Sequence, residues 1–445
     1  MRISINLQQS GKSANHNRLP GLSVHVLAIL LLLSAFCVSN AMAGWDVSNQ
    51  RETDGHKTVA GRVFTGTDLA NSAENTEEPS PQAETSTPPP VNTSENESAP
   101  ANDDSDFAPG EWALAFGLDD QLFPSAIIAL STLDPENIGV QRQENTFGSP
   151  LAMASVFIRA QNPGDRVTVE ITSTDLIRPS KMTVTLPDAE KVYEISPHLR
   201  YEYEKLLSIR QPYPEDVTAK VFVNGEEVGE HTQTVIVRSV NDCFFGLYTD
   251  GQQNFQDWSE MFAAYVNEGD PIIDEILSEA LHKGYVDAFI GYQGDEMDVT
   301  LQIEAIWKVL KDSGFRYSSI TTTSVESDVV AAQHVRLVGD STRGAQANCA
   351  DGSVLLASIF RKIGLDAYLI LLPDHMMVGV SNSAEQDAPV IPIETTMLAS
   401  ADLGQAQESA IETINEYKND PSAVTYISIN GARRAGILPL RNLYK

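Results

Sequence analysis

Apolar and polar residues alternate with a period of two in a series of segments between residues 155 and 240. The segments are SVFIRAQ from Ser155, RVTVEIT from Arg166, KMTVTLP from Lys181, AKVFV from Ala219 and TQTVIVRSV from Thr232. This alternation is typical of strands with one buried face. Asn224-Gly225 stands between the last two segments and favours the type I′ turn of a tight hairpin. The pattern predicts an Ig-like β-sandwich, which we place at residues 107–245.

Beyond this region, apolar residues recur every three or four positions, which is the period of a helix. The helical segments run from Ile272 to Leu281, from Val299 to Leu310, from Cys349 to Ile363, and through QAQESAIETINEYK. Asp270-Pro271 is typical of a helix start, and Gly314 and Gly364 are typical of residues that follow a helix end. The stretches AYLILL, VIPIE and VTYISI are predicted strands. Together these elements predict an α+β domain over residues 246–445.

The N-terminal segment has a different pattern. Three basic residues and no acidic one precede an apolar run over 26–38, and the small residues Ala41 and Ala43 follow. This order predicts a secretory signal peptide at residues 1–43, cut before Gly44. An uncleaved anchor is the alternative, but the run is short beside the roughly 20 residues of a membrane-spanning helix. We therefore expect a periplasmic or secreted protein with no other membrane contact.

Residues 44–106 are rich in Ser, Thr, Pro, Glu and Asn, and no Lys or Arg lies between Arg62 and Arg142. Such a segment buries too little apolar surface to fold, so it predicts a disordered acidic tether. The whole chain carries a net charge of −31. Because nucleic-acid sites depend on a surplus of Lys and Arg, this charge excludes nucleic acid as the expected partner.

The candidate chemistry lies in the stretch ANCADGSVLLASIFRKIGLDAYLILLPDHMMVGV, which begins at Ala347. Asn348 is a typical N-cap, so Cys349 falls in the first helical turn, where unpaired N–H groups and the helix dipole favour a thiolate. His375 follows the next predicted strand, and Glu394 follows the strand after that. A thiol, an imidazole and a carboxylate in this order match the nucleophile, base and orienting acid of a catalytic triad.

Structural interpretations of the same residues are also open. A cysteine in a helix is commonly a small buried apolar residue. Cys243 is the other cysteine beyond the signal peptide, and a disulfide between Cys243 and Cys349 would require their Cα atoms to lie within about 7 Å. Asp351 and Asp374, beside the candidate residues, are best explained by capping and turn formation.

Donors to an oxyanion are harder to identify from the sequence. The backbone N–H of Cys349 has a suitable position at the helix start. Gln346, Asn348 and Tyr317 are the candidate side chains, although Asn348 also has the capping role. The three candidates remain open.

This stretch resembles the transglutaminase-like superfamily, the bacterial branch of the papain-fold cysteine enzymes. The similarity is carried by NCADGSVLLASIFRKIGLDAYLILLPDHMMVGV and IPIETT and covers about residues 300–400. In that family a Cys begins a helix that packs on a β-sheet, and His and Asp follow on successive strands. The resemblance implies a papain-like C-terminal domain with Cys349 as nucleophile and His375 as base. Glu394 would be the orienting acid, in place of the usual Asp.

The sequence therefore predicts an exported, thiol-dependent acyl-transfer enzyme that acts on protein or peptide amides in the cell envelope. Transfer to water would make it a cysteine protease or amidase, and transfer to an amine would make it a transglutaminase. We expect neither a cofactor nor a metal. The alternative is a non-catalytic cell-envelope binding protein with a degenerate papain-like domain, in which Cys349 would react like an ordinary buried thiol.

Overall fold

The computed structural model describes residues 107–133, 145–149, 151–249, 254–318, 327–385 and 388–441. The predicted signal peptide and acidic tether lie outside these residues. The described chain is mixed α and β, with several sheets. No helix within the described ranges has the length and apolar character needed to cross a membrane.

The described residues up to position 237 form mainly strands. In chain order the elements are β1 (Trp112–Phe116), β2 (Gln121–Leu122), α1 (Pro124–Ala129), β3 (Thr146–Gly148), β4 (Ala154–Arg159), β5 (Arg166–Ser173), β6 (Ile177–Arg178), β7 (Ser180–Thr185), β8 (Val192–Ser196), β9 (Arg200–Tyr201), α2 (Tyr203–Ser208), β10 (Tyr213–Val223) and β11 (Glu226–Val237). One sheet has the strand order β1-β4-β8-β3, and a second has the order β2-β11-β10-β5-β7. β6 pairs with β9.

These two sheets share one apolar core. Alternate residues of β5 and β10, such as Val169 and Val221, are fully buried, and they belong to the same cluster as Val156 of β4. The alternation arises because successive side chains of a strand point to opposite faces. The predicted hairpin is confirmed: Asn224 and Gly225 have φ angles of 54° and 97°, and Val223 pairs with Glu226 across the turn. The finer Ig-like assignment stays a prediction.

The remaining described residues form helices and short sheets. In chain order the elements are β12 (Asp242–Thr249), β13 (Asn254–Asp257), a 3-10 helix (Ser259–Tyr265), α3 (Pro271–His282), a 3-10 helix (Gly291–Gln293), α4 (Glu296–Asp312), β14 (Arg316–Tyr317), β15 (Val330–His334), α5 (Val338–Gly344), β16 (Gln346–Ala347), α6 (Cys349–Lys362), β17 (Ala367–Leu372), β18 (His375–Ser381), β19 (Val390–Ile393), a 3-10 helix (Thr395–Met397), α7 (Leu403–Glu416), a 3-10 helix (Pro421–Ala423), β20 (Thr425–Ser428) and α8 (Ile429–Ala435).

The sheet that positions the candidate site has the antiparallel order β19-β18-β17-β20. α6 packs on one face of it, and every residue from Ala350 to Phe360 is buried. The other face carries α7, where Ala410 joins Ile370 and Met377 in a separate apolar cluster. A helix buried along nearly its whole length has little freedom to shift. The first turn of α6 is therefore held firmly against the sheet.

The residues predicted to start and to follow the helices are confirmed at Asp270, Gly314 and Gly364. The Asp270 side chain accepts the N–H of Ile272 at 3.1 Å, so it caps α3. Gly314 and Gly364, which follow α4 and α6, have φ angles of 75° and 85°. Those angles lie in the left-handed region that glycine adopts without steric cost. Short elements such as α5 and β14 were not predicted, because they are too short to show a periodic pattern.

Candidate active site

The start of α6 is stabilised by a reciprocal pair of hydrogen bonds. The Asn348 side chain accepts the N–H of Asp351 at 2.8 Å, and the Asp351 carboxylate accepts the N–H of Asn348 at 3.2 Å. This capping box confirms Asn348 as the N-cap. Cys349 is the first residue of the helix, and it is partly exposed. The thiol therefore lies at the positive end of the helix dipole and within reach of solvent.

Asp351 also binds a residue from outside the helix. Its carboxylate accepts the backbone N–H of Arg336 at 2.7 Å and the Arg336 Nη1 at 3.0 Å. Burial raises the pKa of Asp351, although these hydrogen bonds and the one from Asn348 act in the opposite direction. The contacts tie the segment before α5 to the first turn of α6. Asp351 thus has the capping role that the sequence indicated.

His375 is the first residue of β18, directly after a tight turn formed by Pro373 and Asp374. Its Nε2 lies 2.7 Å from Oε2 of Glu394. The side chain of Cys349 also lies close enough to the ring to help raise the pKa of His375. Since Nε2 faces the carboxylate, Nδ1 is the nitrogen left for the sulfur. One imidazole therefore bridges the thiol and the acid.

Electrostatics favour the charged form of this imidazole. Burial works to lower the pKa of His375, but the hydrogen bonds with Cys349 and Glu394 outweigh it and raise the pKa to about 10. The ring therefore keeps its second proton at neutral pH. An imidazolium beside a sulfur at a helix start is the environment in which cysteines react as thiolates.

Glu394 follows β19 and is held on both oxygens. Oε1 accepts the backbone N–H of Thr396 at 2.9 Å and its hydroxyl at 2.6 Å, while Oε2 faces His375. Burial alone would raise the pKa of Glu394, but the hydrogen bonds from His375 and Thr396 outweigh it and leave the pKa below its usual value. Glu394 is therefore an ionised and oriented partner for the imidazolium.

Two residues after Glu394 have roles that the sequence analysis missed. Thr396 orients the carboxylate through the two bonds described above. The Thr395 hydroxyl donates to the Cys349 carbonyl at 3.3 Å, and a Cβ on Gly352 would lie 3.2 Å from the Thr395 side chain. The absent Cβ at Gly352 lets the 3-10 helix that begins at Thr395 approach α6 closely. The signal in the sequence was Glu-Thr-Thr after a strand, since Thr can cap the turn that an acid begins.

The structure separates the three oxyanion candidates. Asn348 is buried, and its side-chain oxygen is engaged as the helix cap. Gln346 and Tyr317 lie on β16 and β14, which run parallel, and they line one cavity of about 380 Å³. Burial and the neighbouring charges of Cys349 and Glu394 raise the pKa of Tyr317. Gln346 and Tyr317 are therefore exposed at this cavity, whereas Asn348 is buried.

The second cysteine does not join the site. Cys243 and Cys349 are both free, so no disulfide links them. Cys243 is fully buried in β12, and burial, together with the charge of Asp242, raises its pKa well above the usual value. The two thiols therefore differ sharply in their access to solvent and in their surroundings. Met376 and Met377, after the histidine, are buried in two apolar clusters.

Among the residues that the structure describes, no group of three or more His, Cys, Asp and Glu side chains is arranged to hold a metal ion. Comparison of the chain with models of known protein families gives no match, and comparison with curated proteins gives none either. Interpretation of the site therefore depends on its own geometry. That geometry supplies a partly exposed cysteine at a helix start and, beside it, an imidazole hydrogen-bonded to a buried carboxylate.

Proposed function

We propose that this protein is a thiol-dependent acyl-transfer enzyme acting on protein or peptide amides, with Cys349 as nucleophile, His375 as acid and base, and Glu394 as orienting acid. The observation that carries the proposal is the placement of one imidazole between the thiol and the carboxylate. The three residues come from a helix start, a strand start and a strand end. A histidine with a purely structural role does not require an ionisable side chain on each side of its ring, so two such partners favour a catalytic role. The papain-like fold and export from the cytoplasm are part of this proposal.

In the first step the Cys349 sulfur attacks the carbonyl carbon of an amide. The C–N bond breaks, the proton of the His375 imidazolium passes to the leaving nitrogen, and a thioester forms on the sulfur. The interaction with Cys349 is one cause of the high pKa of His375. It is lost once the sulfur has bonded to the carbonyl carbon, before the C–N bond breaks. The imidazolium thus becomes a stronger acid when the leaving amine needs its proton.

In the second step water or an amine attacks the thioester carbonyl. The neutral imidazole of His375 accepts the proton of the attacking group, the C–S bond breaks, and the sulfur leaves as a thiolate. Glu394 stabilises the imidazolium that returns. With water the enzyme is a protease or amidase, and with an amine it is a transglutaminase.

The oxyanion of each step needs donors beside the sulfur. We assign the backbone N–H of Cys349 and the side-chain amide of Gln346, which is exposed at the cavity three residues earlier. Tyr317, from the adjacent strand, is the second side-chain candidate. Asn348 is the weakest of the three, because it caps α6.

Alkylation by iodoacetamide tests the proposal without a known substrate. At pH 6 the native, reduced protein should be alkylated at Cys349 and far more slowly at the buried Cys243, as peptide mass mapping would show. His375→Ala should move the alkylation profile of Cys349 to higher pH, because loss of a nearby positive charge disfavours the thiolate. A Cys349 that stays unmodified, or a profile that ignores His375→Ala, would favour the non-catalytic binding protein.

A further inference from the structure

The cavity beside Cys349 has the size of a subsite. Its volume is about 380 Å³, and small residues, among them Gly314, Gly344 and Ala345, form part of its lining. Binding pockets for small groups begin at roughly 300 Å³. The cavity therefore has room for one side chain of a peptide.

The cavity also lies beside the start of α6, the helix that carries Cys349. Gln346, which lines it, pairs with Arg316 where β16 runs beside β14, and β16 ends directly before the N-cap of α6. Tyr317 also lines the cavity, and its pKa is raised by burial and by the neighbouring charges of Cys349 and Glu394. A group bound here would therefore belong to a residue adjoining the amide that Cys349 attacks.

Arg316 is the one charged residue among the described residues that line this cavity. Its side chain is exposed, and within the described ranges no carboxylate pairs with it. In contrast, the nearby Arg336 pairs with Asp351 at 3.0 Å. A guanidinium in the state of Arg316 is suited to a carboxylate from outside the chain.

We infer that the cavity binds a carboxylate of the substrate through Arg316. The preferred substrates are then peptides with an acidic side chain next to the amide that reacts. The net charge of −31 opposes an anion at long range. However, salt screens charges beyond about 8 Å at physiological ionic strength. Whether an anionic substrate binds is therefore determined by its direct contact with Arg316. This inference rests on the proposed function, since it takes Cys349 as the reacting group.

Two affinity labels that differ in one group test the inference. N-bromoacetyl-glutamic acid α-amide and N-bromoacetyl-glutamine α-amide carry the same reactive carbon, and only the first has a side-chain carboxylate. The rate of Cys349 labelling by each is divided by its rate with free cysteine, which removes intrinsic reactivity. The acidic label should be favoured about fivefold, as expected for one accessible ion pair.

Arg316→Gln should abolish this preference, whereas Arg316→Lys should keep part of it because the charge remains. Arg343→Gln is the matched control, since it removes the same charge from neighbouring α5 outside the cavity lining. It should leave the preference intact. Equal labelling by both reagents, or an unchanged preference in Arg316→Gln, overturns the carboxylate site while the proposed function stands. A Cys349 that neither reagent labels overturns both.

Discussion

Glu215 in β10 and Glu394 after β19 are almost equally buried, with 5% and 6% of their surface exposed. Both hold a bend of the chain by accepting backbone N–H groups: Glu215 accepts those of Asp175 at 2.7 Å and Leu176 at 3.3 Å. Only Glu394 has a second oxygen directed at a titratable ring. The comparison teaches that a buried carboxylate does not by itself mark chemistry. A buried carboxylate indicates a catalytic site only when it also contacts a side chain that can gain or lose a proton.

The largest expected effect is at Glu394. Glu394→Gln keeps one acceptor oxygen, replaces the other with a donating amide nitrogen and removes the charge that stabilises the imidazolium, so acyl transfer should slow by about 10²- to 10⁴-fold. Release of nitrophenolate from a p-nitrophenyl ester measures the rate. Glu215→Gln, the same change in the other region, should leave the rate intact. If both variants keep full activity, Glu394 has only a structural role, like that of Glu215.

The reverse experiment is Glu215→Ala. It leaves the N–H groups of Asp175 and Leu176 without their acceptor, and Leu176 is buried. The free energy of unfolding should fall by about 1–3 kcal/mol, which urea titration would measure. Glu215→Gln should recover much of the loss, and ester turnover should not change in either variant. If ester turnover falls in the Glu215 variants, Glu215 and Glu394 do not differ in the way proposed here.

The pH dependence of stability sharpens the same distinction. The pKa of His375 is raised to about 10 in the folded protein, so its stabilising contribution is complete below the unfolded value near 6.5 and is lost as pH rises through the folded pKa. Because one pKa unit corresponds to about 1.4 kcal/mol, the free energy of unfolding should fall by more than about 1 kcal/mol between pH 7 and pH 10. His375→Gln should flatten this change. A wild-type protein with a flat profile would contradict the charged pair.

The smallest expected effect is at Thr396. Thr396→Val removes the hydroxyl that binds Oε1 of Glu394 at 2.6 Å but keeps the backbone N–H. Ester turnover should fall about fivefold, as expected for one hydrogen bond of roughly 1 kcal/mol, and the pH at half-maximal rate should move. Thr168→Val, within an exposed threonine pair of the other region, is the control. Identical pH profiles for both variants would show that Thr396 does not position the acid.

Most strands and the long helices were predictable from the sequence, because period and capping residues are local. The hairpin at Asn224-Gly225 and the start of α6 at Asn348 were predicted from residues that contact their own neighbours. The pairing of β14 with β16 was not predicted, because two-residue strands have no pattern and their partners are distant in sequence. Selection among the oxyanion candidates failed for the same reason. Only the fold shows that Gln346 and Tyr317 share a cavity.

The candidate triad was predicted from order, local context and resemblance, and in the structure His375 contacts Glu394 and has its pKa raised by the neighbouring Cys349. What the sequence could not reveal was the support around it. Thr395 reaches the carbonyl of Cys349, and Arg336 reaches Asp351, across loops that no periodicity describes. Such contacts depend on how separate elements pack. They therefore appear only when the three-dimensional arrangement is known.

The path from α6 through β17 and β18 to β19 has a consequence for how the site forms. Nucleophile, base and acid lie within one uninterrupted stretch of chain, and the hairpin of β17 and β18 turns within two residues. Contacts between near neighbours form quickly during folding, because little loop entropy is lost in closing them. Cooperative folding units are commonly contiguous supersecondary motifs of this kind. In such a unit the sulfur, imidazole and carboxylate would come together in one event, without waiting for the distant sheets to assemble.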